Sequence, residues 1–201
     1  IIRYDIQPGQ LDPTGSESLI IPETVEEEQA LESAVYASSS FNLSDKLTID
    51  AGLRFSFYQY LGPQTFYEYG SESREESTIT DTVSYSSGSV IANYQGPEYG
   101  LSARYLLNNS SSIKFSAQRM RQYIHMLSNT TAVAPTNLWK LSDKYIRPQI
   151  GDQISLGFYK NLSRNTIEAS VEVYYKRMQD FLDYKNGAVL LLNENIETDV
   201  L

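Results

Sequence analysis

Residues 46–60 read KLTIDAGLRFSFYQY. Leu47, Ile49, Ala51, Leu53, Phe55 and Phe57 occupy the odd positions and are all apolar. Thr48, Asp50, Gly52, Arg54, Ser56 and Tyr58 alternate with them and supply charges, hydroxyls and a glycine. A helix, turning every 3.6 residues, would scatter both sets around its circumference, whereas a strand sends alternate side chains to opposite faces. The stretch is therefore a strand with one greasy face and one wet face. It runs well past the 5–6 residues usual in globular strands and reaches the 9–11 that a tilted membrane-spanning strand needs.

The same period of two recurs in five further segments, at residues 31–43, 98–108, 112–123, 151–162 and 166–178. Leu31, Val35, Ala37, Phe41 and Leu43 share one face of the first, against Glu32, Tyr36, Ser38 and Ser40. Short Ser, Asn and Asp turns fall near 43–46, 108–111 and 163–165, as tight reversals require. Asn108-Asn109-Ser110 has the glycosylation pattern but reads as one of these turns. Long connections span 61–97, 124–150 and 179 to the end, and residues 1–29 read as the tail of another. Short turns at one end and long loops at the other are the asymmetry of outer-membrane barrels. The expected fold is thus all-β, an antiparallel transmembrane β-barrel segment of about six strands with long extracellular loops. A sandwich core against a second sheet would carry the same pattern, and strand length and loop asymmetry weigh against it.

Aromatics fit that reading. Phe57, Tyr99, Tyr123 and Tyr175 fall at the loop ends of their strands, and Phe41 and Tyr105 toward the turn ends, as two outward interfacial girdles would. Arg119 and Arg121 break the lipid-facing row, so either the strand has left the hydrocarbon there or a bulge has switched its phase. Lys160 also interrupts that row, near a turn.

Composition narrows the function classes. The 201 residues carry 16 Lys+Arg against 25 Asp+Glu, a formal charge of −9, which argues against a phosphate-backbone binder and hence against nucleic acid. There is no cysteine and one histidine, so thiolate metal sites, Cys nucleophiles and His clusters are excluded. Tyr numbers 16, against 7 Phe and 1 Trp, suiting surfaces that are half apolar and half wet. No apolar run reaches the roughly 20 residues of a spanning helix, which leaves a barrel open because its strands show lipid only alternate residues.

Six strands cannot close a single-chain barrel, for which eight is the usual minimum, and unpaired edges in lipid cost several kcal/mol per group. The chain also begins at Ile1 without an initiator Met or a secretory leader. The expectation is that residues 1–201 are part of one outer-membrane β-barrel domain, with a plug domain and the remaining strands elsewhere.

Three stretches, residues 47–69, 112–161 and 168–199, resemble the barrel of TonB-dependent outer-membrane receptors, with KYIRPQ at 144–149 the most distinctive part. The likeness is nearest to the branch with a carboxypeptidase-like regulatory domain before its plug. It implies a 22-stranded barrel in the cell outer membrane of a Gram-negative bacterium. It also implies import of a scarce or large nutrient (siderophore, oligosaccharide or peptide) with energy transmitted through the TonB complex, contacted by a segment N-terminal to these residues. Some relatives carry a surface lipoprotein lid, and lipid is a partner of any such barrel. A non-transporting adhesin or receptor barrel is the alternative.

No catalytic, cofactor-binding or metal set rises from the pattern, so no enzyme and no cofactor is expected. His125 with a Ser or Asp would be the sole route to hydrolysis, and it reads better as a loop or rim histidine. The acidic runs at 23–28 and 72–76 lack the ligand spacing of a Ca²⁺ loop and read as solvated charge. Asp50, Arg54, Tyr58, Glu98, Arg104, Lys114, Gln118, Glu168, Glu172 and Lys176 share the wet phase, where cross-strand pairing is the default. Among them Arg54, Tyr58 and Gln118 are ligand-path candidates. The loop aromatics Tyr67, Tyr69, Tyr94, Trp139 and Tyr145 are candidates for ligand capture by stacking.

Overall fold

The computed structural model describes residues 1–7, 27–71, 74–127, 138–162 and 166–183. Its strands are β1 (Ile2–Ile6), β2 (Glu28–Ser44), β3 (Leu47–Leu61), β4 (Gln64–Tyr69), β5 (Ile79–Tyr85), β6 (Val90–Asn108), β7 (Ser111–Gln122), β8 (Ile124–Leu127), β9 (Leu138–Leu141), β10 (Gln149–Leu162) and β11 (Ile167–Gln179). Seven of them form one antiparallel sheet in the order β1-β2-β3-β6-β7-β10-β11. The sheet is a curled half-barrel.

All six expected strands are present, each next to its sequence neighbour in the sheet. Their turns are held as their residues suggest. Ser44 Oγ accepts the Leu47 amide at 3.1 Å, and Asn108 Oδ1 accepts the Ser110 amide at 2.9 Å. The turn at 163–165 lies outside the described residues.

Three differences have physical causes. Residues 2–6 are not loop but a seventh strand, which pairs Ile2 with Glu32 and Ile6 with Glu28 along the open edge of β2. Strand β6 begins at Val90, well before residue 98, with Pro97 inside it opposite Phe55. Proline is tolerated there because β6 pairs with β7 only from Tyr99 onward, so the stretch before it is an edge on that side. The long connections also carry structure, as two small hairpins, β4–β5 and β8–β9.

The aliphatic row decides between barrel and sandwich. In a sandwich it would be covered by a second sheet; here Leu53 is 68% and Val171 70% exposed, with Val35, Leu101, Ile154 and Leu156 also open. Among the described residues the hydrophobic core lies instead on the opposite, inner face, at the loop end. It joins Ala30, Tyr58, Tyr60, Phe66, Tyr123 and Leu141, drawn from the sheet and from both hairpins.

Phe41, Phe57, Tyr99, Tyr105 and Tyr175 point outward and are exposed. Tyr123 does not. It is 3% exposed and stacks on Tyr58, ring centroids 4.5 Å apart and planes 3° from parallel. No bulge breaks the β7–β10 ladder up to Gln122; rather, β7 parts from β6 after Arg119 and carries Tyr123 over the inner face. Arg119 itself keeps the outer phase and is neutralised there. Its Nε and Nη2 donate to both oxygens of Asp152 at 2.7 and 2.9 Å, and its guanidinium lies 6.0 Å from the Tyr99 ring. Arg121 lies against Gly96, its guanidinium filling the space that a Cβ there would take.

Candidate functional site

Three tiers of side chains occupy the inner face. The first is a hydroxyl-lined groove of about 580 Å³ between Ser38, Ser40, Asp50, Ser102, Ser116 and Gln118. Small residues leave the space, since Gly52 and Gly100 face each other across β3 and β6. Of the path candidates, Gln118 opens onto this groove.

Above it, Arg54 spans three strands. One guanidinium nitrogen donates to Glu32 on β2 at 2.5 Å and another to Glu98 on β6 at 2.6 Å. Glu32 also accepts the Tyr4 hydroxyl at 2.7 Å, which extends the chain of contacts to β1. A planar guanidinium with several fixed donors suits such a bridge better than an ammonium would. Arg54 is thus engaged by two carboxylates, and cross-strand pairing describes it.

The top tier is the folded loop end. Lys140 on β9 is largely enclosed between the buried carboxylates of Glu28 and Asp143, with Nζ 3.0 Å from Asp143 Oδ2 and a direct ion pair to Glu28. Glu28 Oε2 also accepts the Leu141 amide at 2.7 Å. Burial alone would lower the Lys140 pKa, but the two carboxylates outweigh it and hold the ammonium well above its ordinary range. Such a buried pair is costly to break, at about 3–5 kcal/mol when one partner is removed. Tyr58 donates to the Ser142 carbonyl at 2.8 Å and Tyr94 to the Asp143 carbonyl at 2.6 Å, so the sheet grips the segment after β9 by its backbone. Asp143 Oδ1 accepts the amides of Tyr145 and Ile146 at 2.7 and 2.8 Å, which folds that segment into a tight turn. Tyr58, a path candidate, is fully buried beneath this assembly.

Tyr145 ties the two hairpins together. Its hydroxyl donates to the Tyr67 carbonyl, and its ring meets Phe66 and Tyr69 edge-on at 5.9 and 5.7 Å. The charged groups of Arg74 and Lys144 each lie 5.5 Å from its centroid, and Lys144 pairs with Glu68. Tyr67, Tyr69 and Tyr145 are therefore brought together. Tyr94 lies apart from them on the Asp143 side, and Trp139 is half exposed on β9 opposite Met126.

His125 Nε2 lies 2.9 Å from Ser142 Oγ, the spacing of a base and a nucleophile. It is no catalytic pair, because Ser142 is 0% exposed and a substrate carbonyl cannot reach it. The His125 Nδ1 is buried without a hydrogen-bond partner among the described residues, so nothing orients the ring as a triad acid would. Burial pushes the imidazole pKa down to about 4 and keeps it neutral.

Sequence reasoning missed Glu28, Lys140 and Asp143. Glu28 ends an acidic run that reads as solvated, yet it is 5% exposed, while residues 23–26 of that run lie outside the described residues. The available signal was Lys140 and Asp143 three apart in a loop whose neighbours Leu138, Trp139 and Leu141 are greasy.

The family model described as TonB dependent receptor-like, beta-barrel matches residues 3–198. The chain belongs to that family. TonB-dependent receptors are transporters of the outer membrane and not enzymes. No curated protein matches the sequence. Among solved structures, the chain is similar to the ferric-catecholate import receptor Fiu from E. coli K12 in its open form, at 13% identity and a TM-score of 0.43. The match covers 77% of this chain and 20% of that receptor, so the chain spans about a fifth of its length. In this TonB-dependent receptor-like barrel the polar tiers lie on the inner wall.

Proposed function

We propose that residues 1–201 are part of one outer-membrane β-barrel domain of a TonB-dependent importer. The whole receptor binds a scarce or large nutrient at its outer end and takes it in with energy transmitted through the TonB complex. The observation that carries this is the two-sidedness of the sheet. An uncovered aliphatic row runs the length of the strands, while the other face is hydroxyl-lined, ion-paired and capped by folded loops only at one end. On this reading the strands cross the Gram-negative outer membrane, lipid covers the aliphatic row, and a surface lipoprotein lid is a partner at the loop end. Tyr67, Tyr69, Tyr94, Trp139 and Tyr145 stand where an arriving ligand is captured. Arg54, Tyr58 and Gln118 lie on the inner wall, of which Gln118 is the most accessible to a passing ligand.

The test is growth and uptake on candidate nutrients (ferric siderophores, oligosaccharides, peptides) with the intact gene, with the gene deleted, and with TonB removed. Uptake of one nutrient should need both the gene and TonB. Unchanged uptake with lost attachment to surfaces would instead make the protein an adhesin.

A further inference from the structure

We infer that a cleft beside Tyr145, at the loop end, seats a carboxylate-bearing part of the ligand; the inference deepens the import reading and rests on it. The whole chain carries a formal charge of −9, yet Arg74, Arg147 and Lys144, the last paired with Glu68, line this cleft together with Tyr145. The cleft holds about 370 Å³, room for one sugar ring or one amino-acid residue.

Tyr145 explains why the cations are there. Its hydroxyl is fixed on the Tyr67 carbonyl, Phe66 and Tyr69 hold its edges, and Arg74 and Lys144 lie over the ring. A ring so occupied orders cations and offers little face to a stacking sugar. Tyr145 is accordingly a positioning residue, and the contact group of the cleft is the basic set, with Arg147 exposed. A guanidinium presents paired donors that match a carboxylate.

Asp180, directly after β11, also lines the cleft. Its φ is 51°, the left-handed region, and among the described residues it alone of the non-glycine residues has a positive φ. That conformation turns the chain so that Phe181, 60% exposed, and Leu182 line the cleft with Asp180. The seat therefore suits an acid group with an apolar flank. The carboxylate has two sources, a uronic-acid oligosaccharide or an acidic peptide.

Asp180 also makes the discriminating variant. Asn tolerates the left-handed region as well as Asp does, so Asp180→Asn keeps the fold and removes the acid that lines the cleft among the described residues. The experiment is calorimetric titration of the full-length receptor in detergent. The probes are pentagalacturonate against pentagalactose, and a blocked pentaglutamate peptide against pentaglutamine. One carboxylated probe should bind, its neutral counterpart should not, and affinity should fall as salt rises. Arg147→Gln should weaken binding about tenfold, and Asp180→Asn should tighten it about threefold. Tyr145→Phe, which keeps the ring, should retain salt-dependent binding, whereas Tyr145→Leu should lose it. Equal binding of the neutral probe, weaker binding in Asp180→Asn, or no binding of either acidic probe by a receptor that still imports its nutrient would overturn the seat. Binding with the stated variant effects, but uptake indifferent to TonB, would leave the seat standing and overturn the import reading.

Discussion

Replacing Lys140 by Met tests whether the β8–β9 hairpin is locked onto the barrel wall by charge. Met preserves the length and most of the volume of the side chain but leaves Glu28 and Asp143, both under a tenth exposed, facing each other without a cation. Breaking a buried pair in this way costs about 3–5 kcal/mol. At 1.4 kcal/mol per decade, the docked form loses roughly 10²–10⁴-fold against the undocked one. The loss is local, because the ladder bonds of β3 and β6 do not involve Lys140. Amide hydrogen exchange on the full-length receptor reads it directly. The Ser142 amide, bonded to the Tyr123 carbonyl at 2.8 Å, and the Tyr145 and Ile146 amides on Asp143 should lose protection by that factor. The amides of β3 should not change. Adding Glu28→Gln should recover part of the loss, as coupled neighbours do. Unchanged protection at Ser142, Tyr145 and Ile146 would mean that the tyrosine hydrogen bonds and aromatic packing hold the hairpin, and the electrostatic account would be wrong.

Other outcomes follow from the same geometry. Burial holds the His125 pKa near 4, against about 6.5 when the ring is free in water, so the undocked hairpin takes up a proton first. Its contribution to docking is therefore complete above about pH 6.5 and falls as pH drops toward 4, by roughly 2 kcal/mol at pH 5; exchange at Ser142 should rise accordingly, and less so in His125→Gln. Arg54→Met should leave Glu32 and Glu98 unbridged and destabilise the barrel by roughly 1–2 kcal/mol, given that Arg54 is about one-third exposed, which is read as a lower thermal midpoint. Leu53→Arg on the open aliphatic row should cost about 2–4 kcal/mol in a bilayer and reduce the heat-resistant folded band on gels. Ser102→Arg, on the groove side, should leave that band intact, and equal effects of the two would argue against lipid on the aliphatic face.

The sheet was legible because each long strand carries its own two-face pattern, and hairpin neighbours are adjacent in sequence. Strand β1 was not, since five residues on an edge give too short an alternation to read. Tyr123 shows the limit of parity: it has the odd numbering of the outward row, but β7 leaves its neighbour after Arg119 and the ring ends up inside. The loop-end core was hidden for a related reason. Tyr58 meets Ser142 across 84 residues and Glu28 meets Lys140 across 112, and no local period encodes contacts at that range. Tyr67, Tyr69 and Tyr145 were legible as loop aromatics, while their assembly around Arg74 and Lys144 depended on how two separate hairpins meet.

That meeting point constrains how such a rim is rebuilt. The Tyr145 hydroxyl reaches a main-chain carbonyl at Tyr67, so it reads the path of the neighbouring hairpin and not the identity of its side chain. Point substitutions at Tyr67 are compatible with that joint, whereas a one-residue insertion in β4 turns the carbonyl away and unseats its partner. Grafting one of these loops onto another receptor should therefore fail where transplanting both as a cassette succeeds.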